Sequence, residues 1–139
     1  MEFSNNKDKR NFIQEIRYAE LTEVSMTDYP GNYTKCIGSF EIIRYSAAEF
    51  VETNPENGSS IEQDLQITLR GQNEEIDIAV ANITGKYLII MLKYGNGSIK
   101  IVGTNDNPVV LNSENSGSPI ITKLISKRTS AEPAKYLLV

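Results

Sequence analysis

The chain has 139 residues, a formal net charge of -4, one cysteine, and neither histidine nor tryptophan. That length suits one domain able to bury a core without metal or disulfide help, and the acidic balance argues against a primary duplex-DNA binder, which would show a basic face. Lack of histidine excludes Ser-His-Asp and Cys-His catalysis and an imidazole base, and with a single thiol it excludes the usual zinc sites.

The first residues are polar. Lys7, Lys9 and Arg10 lie in a stretch read as a solvated terminus, so residues 1–11 are expected to be a flexible arm and 12–139 one domain. That start lacks the apolar centre of a signal peptide, and the longest apolar run, Tyr87 to Leu92, is far too short to cross a bilayer. Phe12 to Val24 fits a short helix or a strand, with strand preferred. Asp28-Tyr29-Pro30-Gly31-Asn32 is a turn, because proline presets φ and glycine supplies positive φ. Cys36 to Tyr45 reads as a strand from its Ile, Phe and Tyr content, with Cys36 a small buried hydrophobe rather than a nucleophile. Thr53 to Ser60 gathers turn formers into a long loop.

Ile61 to Arg70 alternates cleanly. Ile61, Leu65, Ile67 and Leu69 share one face, Glu62, Asp64, Gln66, Thr68 and Arg70 the other, and only Gln63 breaks the rule. One face therefore meets a core and the other meets water or a partner. A helix follows over about 73–84. Asn73 can cap it, Glu74 and Glu75 suit its positive end, and Ile76, Val80 and Ile83 recur at helical spacing. Gly85 stands where a left-handed residue closes such a helix. Tyr87 to Lys93 is apolar almost throughout, as a strand buried on both faces should be. Asn96-Gly97 is a hairpin signal, and Ser98 to Val102 returns. Gly103 to Pro108 is a turn, Val109 to Leu111 restarts a strand, Asn112 to Pro119 is a polar loop, and Ile120 to Arg128 alternates again. The sum is mainly β: a β-sandwich or barrel of about seven strands flanked by one short α-helix.

No candidate catalytic constellation stands out. Glu41, Glu49, Glu52, Asp64 and Asp77 could in principle pair for glycoside hydrolysis, but none sits in a distinctive motif and eighteen acidic residues give many accidental pairs. Thr104 to Pro108 lacks the full oxygen-ligand run of a calcium loop and reads as a turn. Gly95 to Ser98 precedes a strand, so it is a hairpin and not a phosphate cradle. The seven tyrosines could line a carbohydrate or peptide groove, but they are scattered, and without tryptophan a sugar site loses its usual stacking platform. No metal or cofactor is expected, and no enzyme. The terminal Tyr136-Leu137-Leu138-Val139 is too apolar to lie free in water; it packs on its own sheet or pairs with a neighbouring subunit.

From about Ile61 onward the ordered segments LQITLR, NEEIDIAVANITGK, YLIIMLKYGNGSIKIVG, GTNDNPVVL, NSGSP, IITKLISK and EPAKYLLV together resemble small proteins encoded among the tail genes of Bacteroidetes phages and prophages. The likeness covers over half of the chain. The long loop at Thr53 to Ser60 and the N-terminal segment do not match it. It implies a virion structural protein of the tail tube or neck, made in the bacterial cytoplasm. Such a subunit would form rings, possibly hexameric, with copies of itself and meet other tail or neck proteins, without membrane or sequence-specific nucleic-acid contact. On this reading Asn54, Pro55, Glu56, Asn57 and Gly58, with Tyr136, Leu137, Leu138 and Val139, are candidate subunit contacts. Glu62 and Asp64 would face solvent or an acidic lumen that repels DNA phosphates. The alternative is a monomeric β-sandwich binding module for a peptide, glycan or host surface.

Overall fold

A computed structural model describes residues 12–54, 60–70, 74–116 and 121–138. The strands are β1 (Ile13–Glu20), β2 (Val24–Tyr29), β3 (Tyr33–Gly38), β4 (Glu41–Ile43), β5 (Ala47–Thr53), β6 (Ile61–Arg70), β7 (Leu88–Tyr94), β8 (Ile99–Val102), β9 (Asn112–Ser116), β10 (Ile121–Ser130) and β11 (Lys135–Leu137). One α-helix, α1 (Glu74–Ile83), follows β6, and a 3-10 turn at Leu21–Glu23 separates β1 from β2. The class is the expected one, mainly β with a single short helix. The strands are shorter and more numerous than the sequence suggested.

The described residues fall into two compact units, neither of them a continuous stretch of chain. One takes in the described residues of 12–43, 88–108 and 134–138, the other those of 44–87 and 109–133. The first holds a seven-stranded sheet in the order β2-β3-β11-β8-β7-β1-β4; the second holds a four-stranded sheet, β5-β6-β10-β9, together with α1.

In the seven-stranded sheet, β7 is buried on both faces, with Leu88, Ile89, Ile90 and Leu92 all fully buried. It lies between β1 and β8, antiparallel to both. The β2–β3 hairpin closes through Pro30, Gly31 and Asn32, and the last two adopt φ of 85° and 66°. Glycine takes that region freely, and asparagine tolerates it better than most residues. Asn32 also anchors the far end of the chain: its Nδ2 donates to the Ala134 carbonyl at 3.1 Å, and its carbonyl accepts from the Tyr136 amide at 3.0 Å. The Leu138 amide donates to the Thr34 carbonyl at 2.8 Å. These bonds insert β11 between β3, to which it is parallel, and β8, to which it is antiparallel. The apolar tail thus packs on its own sheet, the first of its two expected fates.

In the four-stranded sheet, β6 has the bounds and phase read from its alternation. Leu65, Ile67 and Leu69 are buried beside Leu124, Thr122 and Ser126 of β10. The exception, Gln63, also points inward and is 2% exposed. It lies directly between Glu52 of β5 and Arg128 of β10. Its Nε2 donates to Glu52 Oε2 at 2.9 Å, and its Oε1 accepts from Arg128 Nη1 at 3.1 Å. A buried amide is tolerable because both of its ends are hydrogen bonded.

Helix α1 buries Ile83, half-buries Ile76 and Val80, and puts Glu74, Glu75 and Asp77 in its first turn. The expected cap Asn73 lies outside the described residues. Gly85 has φ of 76°, as anticipated, and its amide donates to the Leu111 carbonyl at 3.2 Å. Among the described residues no helix is long and apolar enough to cross a membrane.

Three segments differ from expectation. Cys36 to Tyr45 is not one strand: β3 ends at Gly38, and β4 then pairs with β1 instead of β2. Gly38 packs so closely on the Glu23 carbonyl that a Cβ there would collide with the oxygen. Gly38→Ala must push one backbone off the other, at a cost of about 1–3 kcal/mol in chemical denaturation. The polar run from Asn112 reads as loop, but its first five residues form β9, hydrogen bonded to β10. Conversely, Val109 to Leu111 makes only a single bridge at Val109, although Val109 and Leu111 are fully buried.

Candidate binding surface

Residues paired across neighbouring strands project from the same side of a sheet. One such row crosses all seven strands of the larger sheet. It runs Ile43 (β4), Ile16 (β1), Leu92 (β7), Lys100 (β8), Tyr136 (β11), Tyr33 (β3) and Tyr29 (β2). Its character changes along the way. Ile43, Ile16 and Leu92 are 5%, 0% and 0% exposed, Lys100 is half-buried, and Tyr136, Tyr33 and Tyr29 are 38%, 40% and 39% exposed. One face of one sheet is therefore core at its β4 end and aromatic surface at its β2 end.

The tyrosines sit on adjacent strands, about 4.8 Å apart per step. The Tyr33 and Tyr136 rings have centroids 6.2 Å apart and planes tilted by 46°. Lys100 Nζ lies 5.6 Å from the Tyr136 centroid and 5.6 Å from that of Tyr94, a cation–π distance. The β7–β8 hairpin forms the rim. Gly97 takes a φ of 89° with open space where a Cβ would stand, and Asn96 Oδ1 accepts from the Ser98 amide and hydroxyl at 2.9 and 2.7 Å. Between rim and rings lies an open concavity of about 350 Å³ lined by Tyr33, Gly97, Ser98, Ile99, Tyr136 and Leu137. Farther along β3 the same face continues with exposed Lys35 and Ile37, opposite Thr27 and Ser25 of β2. The opposite face differs in charge: there Lys135 Nζ meets Asp28 Oδ2 at 3.4 Å.

Tyr136, singled out as a subunit contact, is part of this row. Leu137 lines the concavity, Leu138 is exposed just beyond β11, and Val139 lies outside the described residues. Asn54 is exposed after β5; Pro55, Glu56, Asn57 and Gly58 lie outside the described residues. Glu62 and Asp64 are exposed on β6, opposite Thr129 and Lys127. Glu114 likewise faces Lys123, so the acids there alternate with lysines.

The other candidates resolve into structural roles. Glu41 accepts a hydrogen bond from Tyr18 Oη at 2.7 Å, and Glu52 belongs to the Gln63 row. Burial pushes the Cys36 thiol up to about 11, with the Asp28 charge adding to it, so little nucleophilic thiolate exists near neutrality. Among the described residues no three Cys, Asp or Glu side chains gather closely enough to hold a metal ion.

Burial, then the bond to Glu41, pushes the Tyr18 phenol up to about 12. The folded chain holds that proton more tightly than an unfolded tyrosine, whose value is about 10. The resulting stability is complete below about pH 10 and is lost as pH rises toward 12. Tyr18→Phe should remove a phenolate step near pH 12 from an ultraviolet titration; an unchanged curve would refute the assignment.

Comparison with family models, with curated proteins and with solved structures finds no match to this chain.

Proposed function

We propose that this chain is a non-catalytic structural subunit that associates with copies of itself through the open edges of its sheets. The observation supporting this is the length of those edges. β2 and β5 are terminal strands of six and seven residues, and no strand among the described residues lies along their outer sides. Such edges are templates for pairing with another chain. Val51 adds an exposed apolar side chain on β5. The finer assignment, a tail-tube or neck subunit of a phage virion meeting other tail proteins in a ring, rests on the ordered motifs from Leu65 to Val139. On that assignment the mixed face bearing Glu62 and Asp64 is the lumen or solvent side.

Native mass measurement with negative-stain microscopy tests the proposal. Rings or stacks are expected, and Val51→Lys should shift them toward monomer while the circular dichroism stays the same. A monomer at every concentration would reject assembly. That outcome would favour a monomeric binding module, a reading the tyrosine row already supports.

A further inference from the structure

We infer that the exposed end of the row, Tyr29, Tyr33 and Tyr136 flanked by Lys100 and Lys35, binds a linear saccharide that carries carboxylates. The inference does not depend on self-assembly. It begins from the change of character along one face, where side chains equivalent in register to buried Ile16 and Leu92 become half-exposed aromatic rings.

Such rings present a flat apolar body and a polar tip. A purely apolar partner would bury three phenol hydroxyls and desolvate the lysines without return. A saccharide has both surfaces that the row offers: ring C–H faces to lie on tyrosine and hydroxyls to bond with phenols. Successive tyrosines stand one strand apart, close to the length of a pyranose, so an extended chain can lie across the strands and touch each ring. The concavity bounded by Tyr33, Tyr136, Ser98 and Gly97 gives one sugar a seat, and its volume falls at the lower end for small-ligand pockets.

Charge selects the class. The rows at this end are Tyr29–Tyr33–Tyr136–Lys100, Thr27–Lys35 and Ser25–Ile37; they hold two lysines and no acid, in a chain of net charge -4. Two cations suit the spaced carboxylates of an acidic glycan better than a phosphate at every nucleotide. Size weighs against a protein partner: three strands carry the rings over about 10 Å, whereas a stable protein interface covers about 800 Å² on each side.

The chain has no tryptophan, so its intrinsic emission comes from its seven tyrosines, three of them in the row. Linear oligogalacturonate should change that emission saturably. Neutral cello-oligosaccharide and oligothymidylate should bind more weakly. Tyr33→Ala and Tyr136→Ala should each weaken galacturonate binding roughly tenfold, and Tyr33→Phe should keep most of it, which separates loss of the ring from loss of the fold. Lys100→Met should weaken binding and flatten its salt dependence. Tyr87→Ala, an exposed tyrosine in the other unit, should change nothing. The inference is overturned if galacturonate gives no saturable response, if the neutral glycan or oligothymidylate binds as tightly, or if Tyr33→Ala binds like the parent. Native mass measurement on the same samples keeps the two ideas apart: Tyr33→Ala should assemble like the parent. Dissociation of assembly without any saccharide response would assign the row to a subunit contact.

Discussion

Leu92→Ala should lower unfolding free energy by about 3–5 kcal/mol, whereas Tyr33→Ala, three strands away in the same row, should cost about 1 kcal/mol or less. Leu92 is fully buried at the centre of the larger sheet, with Ile16 and Lys100 as its row neighbours. Truncating it removes three carbons from a packed interior and leaves a cavity that flanking strands, held by backbone bonds on both sides, cannot close. Tyr33 is 40% exposed on the strand beside the edge, with its ring 6.2 Å from that of Tyr136 and Tyr29 as its register partner. Water already reaches it, so truncation loses part of an aromatic contact and no closed volume. Denaturant titrations of both variants with unchanged m-values would measure the contrast directly. Equal losses would mean that the face is core along its whole length.

The second large effect is at Gln63. Gln63→Ala should destabilise the fold by about 2–4 kcal/mol, because hydrogen bonds to charged partners are each worth about 1.5–3 kcal/mol and the change removes two. It also leaves half-buried Glu52 and Arg128 facing a void where the buried amide stood. Gln66→Ala supplies the contrast on the same strand. Gln66 lies on the opposite face between Glu49 and Ile125, and its loss should stay within about 0.5 kcal/mol. Gln63→Leu sharpens the test. If hydrogen bonding matters more than volume, leucine will not restore stability despite filling the space; full rescue would show that the inward polar row is dispensable. An inward charge such as Glu52, next to the open side of β5, is also a known restraint on indiscriminate edge pairing.

What could be read from sequence follows the range of the interactions concerned. The β6 alternation, the Asn96-Gly97 hairpin and the left-handed Gly85 depend on neighbours in the chain, and each is found where read. β9 was invisible because Asn112 to Ser116 contains no apolar residue; its partner β10 supplies the backbone bonds, and Asn115 Oδ1 accepts from Thr122 at 2.9 Å. Cys36 to Tyr45 departs from a single strand for a similar reason, since its two halves pair with different strands. Gln63 broke the alternation visibly, but the partners that make its burial acceptable are eleven and sixty-five residues away.

The tyrosine row is the extreme case. Tyr29 and Tyr33 face each other across a turn that could be read, but Lys100 and Tyr136 join them only because Asn32 and Thr34 accept the amides of the last strand. The tyrosines are scattered along the chain and gathered across the sheet. Tyr29, Tyr33, Tyr94 and Tyr136, four of the seven, gather around Lys100 or on its row. The signal available in sequence was the apolar tail with a tyrosine inside it, which had to find a strand to pair with.

A nitration footprint read by peptide mass, without and with saturating oligogalacturonate, addresses the row most directly. The expected pattern is early modification of Tyr29, Tyr33 and Tyr136, sparing of Tyr18, and protection of those three on adding the saccharide. Early modification of Tyr18, or the same reactivity at Tyr33 and Tyr136 with and without saccharide, would contradict the account.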